Sequence, residues 1–391
     1  MSVADLARAY PKPLDQQDGS PLLHPPSPMH RERKPGAMLA EGLRMSPADL
    51  PFREPCQRPS PSSSACPSPS PGAPTDGRRF VHQPVMLAEV IELFAPVPDG
   101  VVLDATVGAG GHARALLEAF PQLRIVGLDR DAEAVVSATA ALASFGPRAS
   151  VVHARFDESR RVLDGLGVGG LSGALFDLGV SSPQFDTPER GFSYRYDAPL
   201  DMRMDRSQRL TAAMVANETS EEQLAHLFRE HGETRFARRI AAAVVGARPV
   251  TTTGRLAEVV GAAVPAAARR RGHPARRVFQ ALRAAVNSEL EVLPGAVDAA
   301  IGELVPGGRI VVISYHSGED RAVKERLVLA ATGGCVCPPG LPCVCGAVAR
   351  VRLLNRGARK PSAQEVAANP RAQSARLRAA EALPPTERRL Q

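Results

Sequence analysis

The sequence predicts an α/β protein: a mostly parallel sheet covered on both faces, a helical subdomain inserted between its fourth and fifth strands, and a disordered extension ahead of it. Three observations carry that reading. From Gly100 onward, short β-branched runs alternate with Ala-rich segments of helical spacing, the pattern of strands joined by helical crossovers. The fourth and fifth strand candidates are about 130 residues apart, far more than a crossover needs. Residues 1–79 hold 16 of the 36 prolines and end in the low-complexity run PSPSSSACPSPSPGAP, which has too little apolar surface to offset the entropy of ordering it.

Order is expected from Phe80. In FVHQPVMLAEVIELF, Val85, Leu87, Val90, Ile91 and Phe94 recur at helical spacing. Strand candidates follow at Val101 to Asp104, Arg124 to Asp129, Ser150 to Phe156 and Ala174 to Gly179. Gln184 to Leu290 is rich in helix formers, with apolar steps of three and four in SEEQLAHLFREHGETRFARRIAAAVV, and reads as the inserted helical subdomain. The sheet resumes with RIVVISYH (Arg309 to His316). A helix (about Asp320 to Ala331), a cysteine-containing loop, a strand candidate RVRLLNR (Arg350 to Arg356) and a polar tail from about Pro361 complete the chain. The expected divisions are an extension over 1–79, the first part of the sheet core over 80–183, the insert over 184–290, the second part of the core over 291–360, and the tail over 361–391.

Composition narrows the function classes. With 391 residues, 44% of them hydrophobic, the chain can bury more than one core without a disulfide staple. No run of 18 apolar residues occurs, and the N-terminal residues show no apolar stretch behind a basic start, so neither a membrane span nor a secretory signal is expected. Six cysteines are too few for a disulfide scaffold and are expected as reduced thiols in a cytoplasm. The net charge of +7 permits a phosphate-bearing partner without identifying one.

The strongest local signal is VVLDATVGAGGH, Val101 to His112: a strand ends in Asp104, a turn carries Gly108, Gly110 and Gly111, and a helix follows. Glycines let backbone N–H groups approach a ligand closely at a helix start. Asp129 ends the next strand about twenty residues on, where an acid can take both hydroxyls of a ribose. Together these point to an adenosine-bearing cofactor. The spacing is GxGG rather than GxGxxG, and Asp104 would repel a pyrophosphate but could face the amino group of a methionine moiety, which favours S-adenosylmethionine over a dinucleotide. Asp177 ends the fourth strand at the same edge, where a methylated amine would need an acid. A dehydrogenase would not require Asp177, and a non-catalytic RNA-binding assembly factor could dispense with all three acids.

Seven collinear segments carry a family resemblance: HQPVMLAEV (His82 to Val90), DATVGAGGH (Asp104 to His112), GLDRDAEA (Gly127 to Ala134), LFDLGVSSPQFDTPERGFSYRYDAPLDMRMD (Leu175 to Asp205), HGETRFARRIA (His231 to Ala241), RRVFQALRAAVNSELEVL (Arg276 to Leu293) and GGRIVVISYHSGEDRAVK (Gly307 to Lys324). From about Phe80 to Arg359 the chain resembles the ribosomal RNA small subunit methyltransferase H family, also called MraW. The resemblance implies a class I S-adenosylmethionine-dependent methyltransferase sheet, Rossmann-like, with an inserted helical domain. It implies methylation of the exocyclic N4 of one cytidine in the decoding region of 16S rRNA, within the small ribosomal subunit. It also places cofactor contacts at Gly110, Gly111, His112, Asp129, Phe156, Asp177 and Gln184. Two positions depart from the family pattern: HSGED has Gly318 where leucine is usual, with Ser317 and Asp320 expected to cap the next helix, and Tyr315 stands where phenylalanine is usual.

In chemical terms, Asp177 is the candidate proton acceptor or orienting partner for the amine. Five of the sixteen aromatics lie between residues 176 and 196, and of these Tyr194 and Tyr196 are candidates to stack a flipped base or to pin the loop. Between Arg235 and Arg283 there are eleven Arg and one acid, Glu258, so the insert carries the RNA-binding argument that net charge could not. Arg269, Arg270, Arg271, Arg276 and Arg277 are its candidate phosphate contacts. Cys335, Cys337, Cys343 and Cys345 form the pattern CxCx5CxC, which reads either as a structural zinc site or as a reduced, metal-free loop; catalysis here needs no metal.

Overall fold

Strands buried along most of their length send alternate side chains to opposite sides and build a sheet with two apolar faces. The structure, a computed structural model, describes residues 84–269, 273–338 and 343–385. The extension expected over 1–79 lies outside the described residues, as do His82, Arg270 and Arg271. Strands β1 (Gly100–Asp104), β2 (Leu123–Asp129), β3 (Ala149–His153), β4 (Leu171–Asp177) and β5 (Leu304–Ser314) are parallel neighbours. Strands β6 (Val351–Leu353) and β7 (Arg376–Ala382) complete the seven-stranded order β3-β2-β1-β4-β5-β7-β6, with β7 antiparallel to both of its neighbours. The first five follow the order of doubly wound nucleotide-binding sheets, whose direction of winding reverses between β1 and β4.

Helices α1 (Leu87–Phe94), α2 (Gly111–Ala119), α3 (Ala132–Leu142) and α4 (Ser159–Gly165) flank the first four strands. After β4 come a short α5 (Ser182–Asp186) and a long loop. Then follow α6 (Ala212–Glu218), α7 (Glu221–Glu230), α8 (Ala237–Gly246), α9 (Thr253–Ala263), α10 (Ala266–Arg269) and α11 (Ala275–Asn287). Helices α12 (Glu289–Glu303) and α13 (Ser317–Thr332) bracket β5, and α14 (Ala363–Ala368) precedes β7.

Three apolar cores result. Leu103, Leu128, Phe176 and Val312 pack against Leu163 of α4, Val297 of α12 and Leu327 of α13. Their alternates Val102, Ile125, Leu175 and Val311 pack on the other face against Phe94, Leu116 and Leu142 of α1, α2 and α3. The helices after β4 close on a core of their own, in which Phe228, Ile240, Val260 and Leu282 meet Phe192, Leu200 and Met202 from the long loop. That separate core is why about 100 residues can be spliced into one crossover without disturbing strand pairing. No helix among the described residues is long and apolar enough to cross a membrane.

Two expectations are corrected. Residues 361–391, expected as a polar tail, carry α14 and β7, and β7 lies inside the sheet. Its buried positions are Leu377, Ala379, Ala380 and Ala382, small residues with little strand preference of their own, and its pairing with β5 and β6 supplies what propensity does not. The cap expected from Ser317 and Asp320 is shifted by one residue. Helix α13 begins at Ser317, so His316 caps it, its Nδ1 accepting the N–H groups of Gly318 (3.2 Å) and Glu319 (3.3 Å). Glu319 reaches back to the N–H groups of Tyr315 (2.8 Å) and His316 (3.2 Å). Asp320 is thereby released to hold β7, accepting from Arg378 Nε at 2.8 Å and Arg376 at 3.2 Å. The side chain absent at Gly318 is compensated by Leu290, whose Cδ1 would lie only 3.1 Å from a Cβ at that position.

Ending the chain at Pro361 should therefore strip the partner from both β5 and β6. The expected outcome is loss of a cooperative thermal transition by circular dichroism and recovery of the protein in the insoluble fraction. A truncated chain that melts cooperatively near the full-length temperature would show that β7 is dispensable.

Candidate active site

Parallel pairing brings three acids to one edge of the sheet. Asp104 lies opposite Gly127 and Leu175, and Asp177 lies opposite Ile313, so the carboxyl ends of β1, β2 and β4 present Asp104, Asp129 and Asp177 around the point where the winding reverses. Each strand is buried along most of its length, but β2 and β4 open to half-exposure at their final acid.

Asp104 is 1% exposed, and among the described residues no cation lies against it; its Oδ1 accepts the Thr106 N–H at 3.3 Å. Burial, and then the negative charges of Asp177 and Asp129, push its carboxyl up to about 7. Burial likewise raises Asp129, which is held by two backbone donors: Gly108 N–H to Oδ2 and Asp131 N–H to Oδ1, both 2.9 Å. A carboxylate has about four acceptor positions, so each Asp129 oxygen keeps one for a pair of vicinal hydroxyls.

Asp177 sits in a tighter frame. Its backbone N–H donates to Thr106 Oγ1 at 2.7 Å, and its Oδ1 accepts the Tyr315 hydroxyl at 2.8 Å. Burial, followed by the Asp177 charge, raises the Tyr315 phenol well above its usual range, so it stays protonated as a donor. His112, 6% exposed, donates from Nε2 to the Val85 carbonyl at 3.0 Å, and its Nδ1 faces Asp177 Oδ2 at 3.6 Å. Because a carbonyl can only accept, Nε2 must carry a proton.

The glycine turn is shaped as much by packing as by room for a ligand. Gly110 caps α2 at φ 85°, a left-handed conformation that favours glycine, and a Cβ on Gly111 would meet Pro84 at 2.6 Å. Gly108 has the open surroundings: the nearest atom to a Cβ there is Thr106 O at 3.9 Å. Phe156 is half-buried after β3 and meets Phe176 edge-on at 6.0 Å.

Gln184 is held by two neighbours: its Oε1 accepts the Ser181 N–H at 3.0 Å and its Nε2 donates to Asp131 Oδ2 at 2.7 Å. The same Asp131 oxygen receives Arg190 NH2 at 2.8 Å, and Arg190 is 4% exposed. Sequence reasoning did not single out Arg190, Thr106 or Tyr315 for the site. Tyr315 had a signal, the hydroxyl added where phenylalanine is usual, at the first residue past the β5 end that adjoins Asp177.

The aromatic and basic segments, separate in sequence, converge. Tyr194 stacks on His273 with centroids 4.6 Å apart and meets Phe279 edge-on at 5.6 Å, so it is built into the helical core. Tyr196 is 53% exposed. Arg269 is exposed at the end of α10, Arg276 reaches Ser374 at 3.3 Å, and Arg277 lies 3.3 Å from the buried Glu233. Arg283, counted in the basic segment, is interior and joins Glu289 (2.8 Å) and Glu319 (3.8 Å), tying α11 to the sheet core. The four clustered cysteines lie away from this edge, between α13 and β6.

Comparison with known proteins adds the family. The profile described as the MraW methylase family matches residues 79–383. Proteins named ribosomal RNA small subunit methyltransferase H are similar along most of their length. The one from Thermobifida fusca is 54% identical over 77% of this chain and 93% of its own. The one from Frankia alni is 53% identical over 80% and 98%, and that from Symbiobacterium thermophilum is 50% identical over 77% and 96%.

The raised Asp104 makes a prediction about stability. Its folded value of about 7 lies above the ordinary carboxylate value of 3.8, so folding binds a proton between these limits. The contribution is present below about pH 4 and is lost as pH rises toward 7, by at most about 1.4 kcal/mol per pH unit. Asp104→Asn keeps the Oδ1 acceptor and removes that dependence. Denaturant titrations should show the variant gaining on wild type as pH rises from 4.5 to 7.5; a constant difference would mean Asp104 is not held protonated.

Proposed function

This chain belongs to the MraW methylase family, and on that premise we propose that it transfers a methyl group from S-adenosylmethionine to the exocyclic N4 of one cytidine in the decoding region of 16S rRNA, in the small ribosomal subunit. One observation carries the cofactor reading: three acids close strands at the switch point, with Asp104 buried in the negative field of Asp177 and Asp129 and no cation among the described residues against it. Such an edge suits a ligand bearing positive charge and opposes a pyrophosphate, which weighs against a dinucleotide. Asp104 would face the ammonium group, Asp129 would take the ribose hydroxyls on its remaining acceptor positions, Gly108, Gly110, Gly111 and His112 would line the turn, and Phe156 would border the adenine. S-adenosylmethionine, when bound, supplies a methyl group already activated by its sulfonium.

The residues of this chain have two tasks, alignment and proton acceptance. The N4 amine is a weak nucleophile because its lone pair is delocalised into the ring, so orienting it accounts for much of the barrier reduction. Asp177 is the group in place to orient the amine and accept its proton. Tyr315 and Thr106 fix that carboxylate by hydrogen bonds at 2.8 and 2.7 Å, to the side chain and to the backbone respectively. Gln184 acts one step back, holding Asp131, whose N–H holds Asp129.

The insert would dock the RNA. Arg269, Arg270, Arg271 and Arg276 are the proposed phosphate contacts. Arg277 contributes less because Glu233 offsets it. Exposed Tyr196 is the better candidate to stack on the target base, with Tyr194 bracing the loop through His273. A substrate within ribosomal subunits puts the reaction in the cytoplasm.

The test is to supply small subunits lacking the modification with methyl-labelled cofactor and map the product by mass spectrometry. One N4-methylcytidine in 16S rRNA is expected; label on a ring carbon, a ribose or the large-subunit RNA would refute the reading. Asp177→Ala should lower single-turnover rates about 10²-fold or more. Tyr315→Phe should lower them by about tenfold, the worth of one hydrogen bond to a charged group. Near-wild-type rates in Asp177→Ala would remove it from the reaction.

A further inference from the structure

Between α13 and β6 the chain makes an eighteen-residue loop, 333–350, whose described part holds no helix or strand. Loops of that length inside a folded domain need something to hold them. Its base is closed by backbone: Cys335 N–H donates to Thr332 O at 3.0 Å and Arg350 N–H to Ala330 O at 2.8 Å. Among the described residues its middle has no apolar core. Val336 and Val344, the residues inside the two CxC pairs, are 85% and 89% exposed, while the flanking thiols turn toward one another. Extended chain sends successive side chains to opposite sides, so each CxC pair puts two sulfurs on one side and its valine on the other. An apolar collapse would have selected the opposite arrangement, with valines inside.

The sulfur geometry matches a coordination sphere. Cys335 Sγ lies 3.5 Å from Cys343 Sγ and 3.7 Å from Cys345 Sγ, and Cys343 and Cys345 are 3.5 Å apart. Cys337 belongs to the same group, in which all ligand atoms lie within 4.8 Å of one another. A tetrahedron with metal–sulfur bonds of about 2.3 Å has edges of about 3.8 Å. No pair is at disulfide distance, and all four cysteines are free thiols. A backbone donor meets the group as it would a thiolate: Val344 N–H points at Cys337 Sγ at 3.4 Å.

We propose that Cys335, Cys337, Cys343 and Cys345 bind one zinc ion, which replaces the missing core of this loop and fixes the approach to the edge strand β6. Four thiolates and no open position make the site structural. The ion takes no part in methyl transfer, so the proposal stands or falls independently of the function proposed above.

The full-length chain, purified under reducing conditions without added chelator, should carry one zinc per chain by inductively coupled plasma mass spectrometry. Native alkylation followed by peptide mass spectrometry should leave these four cysteines unmodified until a mercurial reagent displaces the metal, and zinc release should accompany their modification. Cys343→Ser with Cys345→Ser should drop the zinc content below about one tenth. The wild-type measurements keep the test valid if that variant does not fold. Absence of zinc after reconstitution with zinc chloride, stoichiometric iron instead, paired disulfides, or immediate alkylation of all four thiols in the native protein would each overturn the assignment.

Discussion

The buried ion pair between Arg190 and Asp131 is the joint on which the arrangement of the molecule turns. Arg190, on the long loop after β4, gives NH2 to Asp131 and to the carbonyls of Arg203 and Met204, both at 3.1 Å, and gives NH1 to Glu133 at 3.1 Å. Asp131 is simultaneously the N-cap of α3 and, through its backbone N–H, a clamp on Asp129. Breaking such a pair by removing one partner leaves a desolvated charge and costs about 3–5 kcal/mol. Its neighbour Arg130 continues the seam, donating to the Asn287 carbonyl at 2.6 Å and to Gln208 at 3.1 Å. Asn287 in turn binds Met204 N–H at 2.9 Å and the Met202 carbonyl at 2.8 Å. Three consecutive residues at one strand end thus hold the Asp129 carboxylate, anchor the last helix of the insert, and anchor the loop that carries the aromatics.

A protein stabilised only for folding would not bury Asp104 in the negative field of Asp129 and Asp177. On the function proposed above, a cationic ligand would offset that cost, so the feature that weakens the ligand-free fold near neutral pH would supply the affinity. Asp177 differs from the other two in having a side-chain donor on its carboxylate, the Tyr315 hydroxyl, while Thr106 Oγ1 fixes its backbone N–H.

Much of this was legible in the sequence because the sheet is built from strong local signals. Strand runs ending in Asp104, Asp129 and Asp177 follow directly from β-branched segments closed by an acid and a glycine turn, and the insert follows from an interval too long for a crossover. What was not legible depends on long-range partners. RLRAAEA becomes β7 only because β5 and β6 flank it. The hydrogen bond of Gln184 to Asp131 joins residues fifty-three apart in the chain. Arg283 looked like part of a basic surface and is interior, because the acids that neutralise it, Glu289 and Glu319, lie on α12 and α13 outside the segment counted. Tyr194 and Tyr196, equivalent in sequence, separate once His273 and Phe279 are seen to claim one of them.

On the function proposed above, the joint at the end of β2 would set the geometry of the cofactor site from Arg190, a residue that would not touch the cofactor. The most direct test is the calorimetric affinity of Arg190→Met for S-adenosylmethionine, measured at a temperature where circular dichroism shows the variant folded. Loss of the Asp131 clamp should weaken binding by about tenfold, equivalent to about 1.4 kcal/mol. A folded Arg190→Met variant with wild-type cofactor affinity would contradict it, and would show that Asp129 is held by its strand and by Gly108 alone.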